Sequence, residues 1–146
     1  MDMLKIENIR LKDKVSDWKE AVRLSVHPLI EGKYVEEAYV DDIFEVTEKY
    51  GPYYVLVEHV ALVHAGNRCV NQSQLAITVL KEAVKFSETS YPVRLLVALA
   101  AKDSQEHVSA LAKLADVLND PELIEMIIES DDIQYIYDQF IKEREG

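Results

Sequence analysis

The sequence predicts an α/β protein: a single-domain sandwich in which a mixed β-sheet carries helices on both faces. Three observations lead there. The run Val93-Arg94-Leu95-Leu96-Val97-Ala98-Leu99-Ala100-Ala101 is almost wholly apolar, the pattern of a strand covered on both sides. Amphipathic helical patterns are interspersed with runs of this kind, and the connections between them are short. The 146 residues are 49% hydrophobic and 29% charged, long enough for a core and free of linkers, repeats or low-complexity tracts, so residues 1–146 read as one domain.

In chain order, Lys5 to Leu11 alternates as a short strand does. Ser16 or Asp17 can cap a helix in which Trp18, Val22, Ser25 and Leu29 share a face, with Ala21 beside it. Pro28 is expected to kink or end that helix near His27, with Gly32 as the stop. His27 then lies at a helix end near solvent and carries no chemistry. A second helix spans about Glu36 to Tyr50, with Tyr39, Ile43, Val46 and Tyr50 at helical spacing. Its acidic start and Lys49 near its end suit the helix dipole. Gly51-Pro52 then stops it.

Tyr53–Val57 and Val60–His64 read as buried strand or near-strand segments, separated by Glu58-His59. Residues 70–74 are polar and read as a surface loop. Leu75–Leu80 is a strand, and Ala83–Phe86 a short one beside it. Tyr91-Pro92 punctuates the chain before the central strand Val93–Ala101. Asp103 or Ser104 caps the next helix, whose buried stripe is expected to be Val108, Leu111, Ala112, Ala115 and Leu118. With Asp103 as cap, Glu106 falls at the third helical position of a capping box. Asp120-Pro121 opens a helix with Leu123, Ile124, Ile127 and Ile128 on its apolar side. Asp131 or Asp132 begins the last, carrying Ile133, Ile136, Tyr137, Phe140 and Ile141.

Charge narrows the function. Sixteen basic and 27 acidic residues give a formal net charge of −11, which argues against nucleic acid or an anionic membrane as partner. The single cysteine, Cys69, excludes an internal disulfide and a structural zinc site of its own; near the site it reads as a buried or merely adjacent thiol. No cleavable apolar N-terminus and no apolar run of about 18 residues appear, so a cytoplasmic address without membrane insertion is expected. His59, His64 and His107 lack the tight spacing of metal ligands, and neither metal nor cofactor is expected.

The residues that invite chemistry cluster at the end of the second Val-rich run, His64-Ala65-Gly66-Asn67-Arg68. A polar cluster at the end of a buried strand is where α/β proteins place ligand sites. Imidazole is an uncharged nucleophile near neutral pH, with an ordinary pKa of about 6.5. A lone strand-end histidine is nevertheless more often structural. His107 stands in the first turn of a helix, beside free backbone N–H groups where phosphate is favoured, yet by itself it reads as a capping or packing histidine.

Taken together, these segments resemble the enzyme IIA component of the sugar phosphotransferase system, in the mannitol/fructose-type superfamily and closest to its ascorbate-type branch. The resemblance runs from the helix at Trp18 and the tyrosine helix at Tyr39 through Gly51-Pro52-Tyr53-Tyr54-Val55-Leu56-Val57 and Ala61-Leu62-Val63-His64-Ala65. It ends with Leu99-Ala100-Ala101-Lys102-Asp103, His107-Val108, Leu111 and Leu114-Ala115. Two departures stand out: Val63 occupies the position where relatives carry proline, and Glu58-His59-Val60 replaces an apolar-glycine lead-in.

The resemblance implies a cytoplasmic phosphotransferase of the same fold. Its phosphorylated histidine falls on His64 and its second active-site histidine on His107. The implied donor is the phosphohistidine carrier HPr, and the implied acceptor is a cysteine of a IIB component serving uptake of ascorbate or a related sugar. A regulatory IIA-like domain and a mannitol- or fructose-specific IIA stay open beside that. Arg68 can pair with phosphoryl oxygens through its planar fork or simply be a solvated loop arginine; Asn67 is a further phosphate-binding candidate, with Gln72 behind it.

Overall fold

The computed structural model describes residues 3–142. The chain runs β1 (Leu4–Lys12), α1 (Trp18–Glu31), α2 (Ala38–Tyr50), β2 (His59–Val63), β3 (Gln74–Lys85) and β4 (Pro92–Ala100). Helices α3 (Ser104–Leu118), α4 (Pro121–Ile128) and α5 (Ile133–Ile141) follow. The strands form one mixed sheet in the order β1-β3-β4-β2. The pairs β1–β3 and β2–β4 are parallel, and β3–β4 is antiparallel.

Alternation along β4 divides the sheet's two faces. Val93, Leu96, Ala98 and Ala100 pack under α1 and α2, whereas Leu95, Val97 and Leu99 pack under α3, α4 and α5. All seven are buried, as expected of a strand covered on both sides. Each fully buried Val or Leu contributes about 1.5–3 kcal/mol against an exposed one, so this strand anchors both cores. The predicted class, an α/β sandwich with a mixed sheet and helices on both faces, is the observed one.

Four local expectations are corrected. Residues 53–57 are not a strand. Gly51 takes φ +79°, Tyr53 and Tyr54 lie in a turn, and Val57 makes only an isolated bridge to Val60. Local turn bonds take up the backbone there, Tyr53 N–H to Gly51 C=O at 2.9 Å and Val55 N–H to Pro52 C=O at 3.1 Å. The segment instead lies along β2, where the Leu62 N–H donates to the Tyr54 carbonyl at 2.9 Å.

Helix α1 does not end near His27: it continues through Pro28 to Glu31. Proline removes one helical N–H, but Val22, Val26, Pro28 and Leu29 are all buried, and that packing outweighs the local cost. The segments 75–80 and 83–86 belong to one long strand, β3, whose pairing with β4 slips between Val79 and Val84. The exposed Lys81-Glu82-Ala83 stretch marks that bulge and mimics a break in the sequence. The buried stripe of α3 is Ala110, Leu114 and Val117, flanked by Leu111 and Leu118. Val108 (65% exposed) and Ala112 face outward, because the stripe is rotated about the helix axis from the expected one.

Candidate functional site

Topology brings the two histidine segments together. Strands β2 and β4 run parallel in adjacent positions with Val63 opposite Ala98, so both end at the same edge of the sheet. β2 delivers His64 to that edge, and β4 delivers the start of α3. Val60 and Leu62 face α3–α5 while Ala61 and Val63 face α1–α2, so alternation turns His64 toward α3. There its ring meets His107, with centroids 5.3 Å apart and planes at 49°.

Asp103 is the cap of α3, its carboxylate accepting the Glu106 N–H at 2.8 Å. The Glu106 side chain does not complete a capping box; it accepts the Ser73 hydroxyl instead. Ser73 in turn accepts the Lys102 N–H at 2.8 Å, which ties the β4–α3 turn to the start of β3. His107 is thereby set in the first turn of α3, its own N–H bonded to the Asp103 carbonyl at 3.1 Å. The first N–H groups of such a helix have no acceptor within it and carry its positive end.

The His64 Nδ1 lies 2.7 Å from the Leu62 carbonyl. A carbonyl only accepts, so Nδ1 carries the proton and Nε2 holds the free lone pair. Tyr53 and Tyr54 approach the ring edge-on, with centroids 5.6 Å and 6.2 Å away. Burial lowers the His64 pKa below the ordinary imidazole value; the Leu62 carbonyl opposes that shift, and the neighbouring His107 adds to it. The histidine is therefore neutral at neutral pH. An open depression of about 380 Å³ lies over it, lined by Tyr53, His64, Gly66, Asn67, Ser104 and His107 among others.

Of the expected site residues, His64, His107 and Asn67 converge on this depression. The Asn67 amide donates to the Lys102 carbonyl at 2.9 Å, which fastens the loop after His64 to the β4–α3 turn. Arg68 does not line the depression. Its guanidinium binds the largely buried Asp42 carboxylate of α2, with Nε 3.1 Å from Oδ1, and the same pairing raises its pKa. Gln72 is exposed and also lies outside the lining. Cys69 is buried beside Asp42, and burial pushes its thiol pKa up, the opposite of a reactive thiolate. Among the described residues, no three His, Cys, Asp or Glu side chains converge to hold a metal ion.

Sequence reasoning missed Tyr53, Ser104 and Tyr39. A strand reading of 53–57 hides Tyr53, and a capping position accounts for Ser104 without pointing to the depression that both line. Tyr39 appeared as one apolar position among several, although its phenol reaches the residue after His64.

Residues 2–143 match the family model described as the phosphoenolpyruvate-dependent sugar phosphotransferase system, EIIA 2. The chain belongs to this EIIA family. An ascorbate-specific EIIA component of Mycoplasma pneumoniae is 39% identical over 123 residues, covering 83% of this chain and 77% of that protein. A solved phosphotransferase IIA structure from Streptococcus mutans superposes with a TM-score of 0.87 at 34% identity, covering 94% of this chain and 88% of the other. The Escherichia coli mannitol IIA, solved in complex with phosphorylated IIB, superposes with a TM-score of 0.84 at 27% identity, covering 96% and 99%. EIIA components are phosphotransferases that carry phosphate on a histidine, and this chain is one of them. None of its described helices is long and apolar enough to cross a membrane.

Proposed function

We propose that His64 is the phosphoryl acceptor of this EIIA and that its Nε2 forms the bond. The observation that carries this reading is the 2.7 Å contact between Nδ1 and the Leu62 carbonyl, which leaves Nε2 unprotonated beside the open depression. The N–P bond of a phosphohistidine on HPr breaks as the Nε2 lone pair of His64 bonds to phosphorus. A thiolate of a IIB component then attacks the same phosphorus, and the lone pair returns to Nε2. The proton stays on Nδ1, donated to the Leu62 carbonyl throughout, so no proton needs to move. Such transfer asks a protein mainly for positioning and charge stabilisation.

His107 supplies a hydrogen-bond donor to the transferred oxygens, and the N-terminus of α3 adds a favourable dipole worth roughly 0.3–1 kcal/mol. Asn67 frames the site and holds its loop, while Arg68 is committed to Asp42. The complex of the mannitol relative with phosphorylated IIB supports a IIB partner, and the whole chain acts as one cytoplasmic IIA domain. The test is intact mass after incubation with HPr, its upstream kinase and phosphoenolpyruvate. The protein gains one acid-labile phosphate, and His64→Ala gains none. A phosphate that persists in His64→Ala would sink the assignment.

For the sugar, we propose ascorbate or a related acidic sugar, supported by the ascorbate-specific relative at 39% identity. The carrier meets a phosphohistidine and a thiol but never the sugar, so its choice lies in the surface that selects IIB. Deleting the gene should abolish phosphoenolpyruvate-dependent ascorbate uptake. Loss of mannitol or fructose uptake with ascorbate uptake intact would overturn this choice.

A further inference from the structure

We propose that Tyr39 is a positioning residue for phosphoryl transfer, bracing the backbone behind His64 from the opposite face of the sheet. The proposal rests on His64 as the acceptor. Tyr39 lies in the first turn of α2 and is fully buried in the core beneath α1 and α2. Its phenol donates to the Leu99 carbonyl at 2.7 Å and accepts the Ala65 N–H at 3.0 Å. A phenol has one proton, so the longer 3.5 Å approach to the Ala65 carbonyl adds no second donation of equal strength.

These two bonds sit where the sheet ends. β2 stops at Val63 and β4 at Ala100, so beyond them no strand-to-strand bond fixes the chain carrying His64. Tyr39 replaces that missing rung. It joins Leu99 of β4 to Ala65 through one oxygen. His64 points the other way, toward α3, where Leu62 fixes its ring. Ring and backbone are thus held by separate groups on opposite faces. Burial also raises the Tyr39 pKa to about 12, so the donor proton remains through the physiological range. A displacement of about 1 Å at a reacting group can cost up to about 10²-fold in rate, so a backbone brace next to the nucleophile bears on catalysis.

The variant is Tyr39→Phe, which keeps the ring and removes only the hydroxyl. Rapid-quench measurement of transfer from phosphorylated HPr should show the maximal rate falling roughly 10-fold with KM for HPr unchanged, because the docking surface is untouched. Ile43→Val, one turn along α2 in the same core, serves as a control for general loosening. Wild-type rate in Ile43→Val with slow transfer in Tyr39→Phe supports a positioning role. Equal slowing in both, or an unchanged rate in Tyr39→Phe, overturns it. Hydrogen exchange on the unaltered protein needs no variant: the Ala65 amide should exchange at least 10-fold more slowly than that of Gly66, and equal rates would overturn the brace. If the wild-type protein takes up no phosphate, it is the reading of His64 that fails; the exchange result still judges the brace.

Discussion

The two ends of β2 each present a histidine, and they differ in every respect that matters for transfer. At the C-terminal end, the Nδ1 of His64 is satisfied by Leu62 and Nε2 opens onto a depression beside His107. At the N-terminal end, His59 has φ +74°, in the left-handed region that β-strand residues avoid. Its Nδ1 is buried with no partner among the described residues, while Nε2 lies 3.5 Å from Glu58 and 3.4 Å from Glu125. A nucleophile needs one nitrogen satisfied and the other free. His59 has the reverse arrangement, its outward nitrogen occupied by carboxylates and its inward one idle. Position at a strand end is therefore weak evidence of function, and the partners of the two ring nitrogens are strong evidence.

The largest expected effect sharpens this contrast at the site itself. His107→Ala should slow transfer from phosphorylated HPr by roughly 10²–10³-fold, the loss of one preorganised donor, with the fold intact by circular dichroism. His59→Ala, at the other end of the same strand, should transfer within about twofold of wild type. An unchanged rate in His107→Ala would return that residue to a packing role, and strong slowing in His59→Ala would erase the distinction between the two ends.

A smaller effect tests the strain at His59. Glycine adopts φ +74° without the steric cost that other residues bear, about 1–2 kcal/mol. The contacts with Glu58 and Glu125, both exposed, are worth little. His59→Gly should therefore raise stability by about 1 kcal/mol, read as a higher midpoint of urea unfolding with unchanged slope. A lower midpoint would mean that the histidine's contacts outweigh its backbone strain.

Much of this molecule was legible in the sequence because its signals are local. The apolar run of β4, the caps at Asp17, Asp103, Asp120 and Asp132, and the apolar side of α4 are read from neighbouring residues and recur in the structure. His64 and His107 were named by motif, and the parallel pairing of β2 with β4 explains why they meet. What escaped depends on distant groups. Pro28 lies inside a helix because a sheet packs against it, and residues 53–57 are β-rich in composition yet form no strand, with Tyr53 and Tyr54 in a turn and Val57 in an isolated bridge. The role of Tyr39 depends on Ala65 and Leu99, which are 26 and 60 residues away in sequence. Arg68 reads equally as a phosphate ligand or a solvated loop arginine, and its pairing with Asp42 of α2 joins residues 26 apart in sequence.

The turn segment between α2 and β2 has a consequence for how copies of this protein behave beside one another. β2 is the last strand of its sheet, and an uncovered last strand is a template onto which another chain can add and from which aggregates grow. Here the Tyr54 carbonyl takes the Leu62 N–H, Val57 bridges Val60, and the turn fills the space where a foreign strand would dock. The same turn places Tyr53 against His64. The cover of this sheet edge and the outline of the site therefore depend on one short stretch of chain.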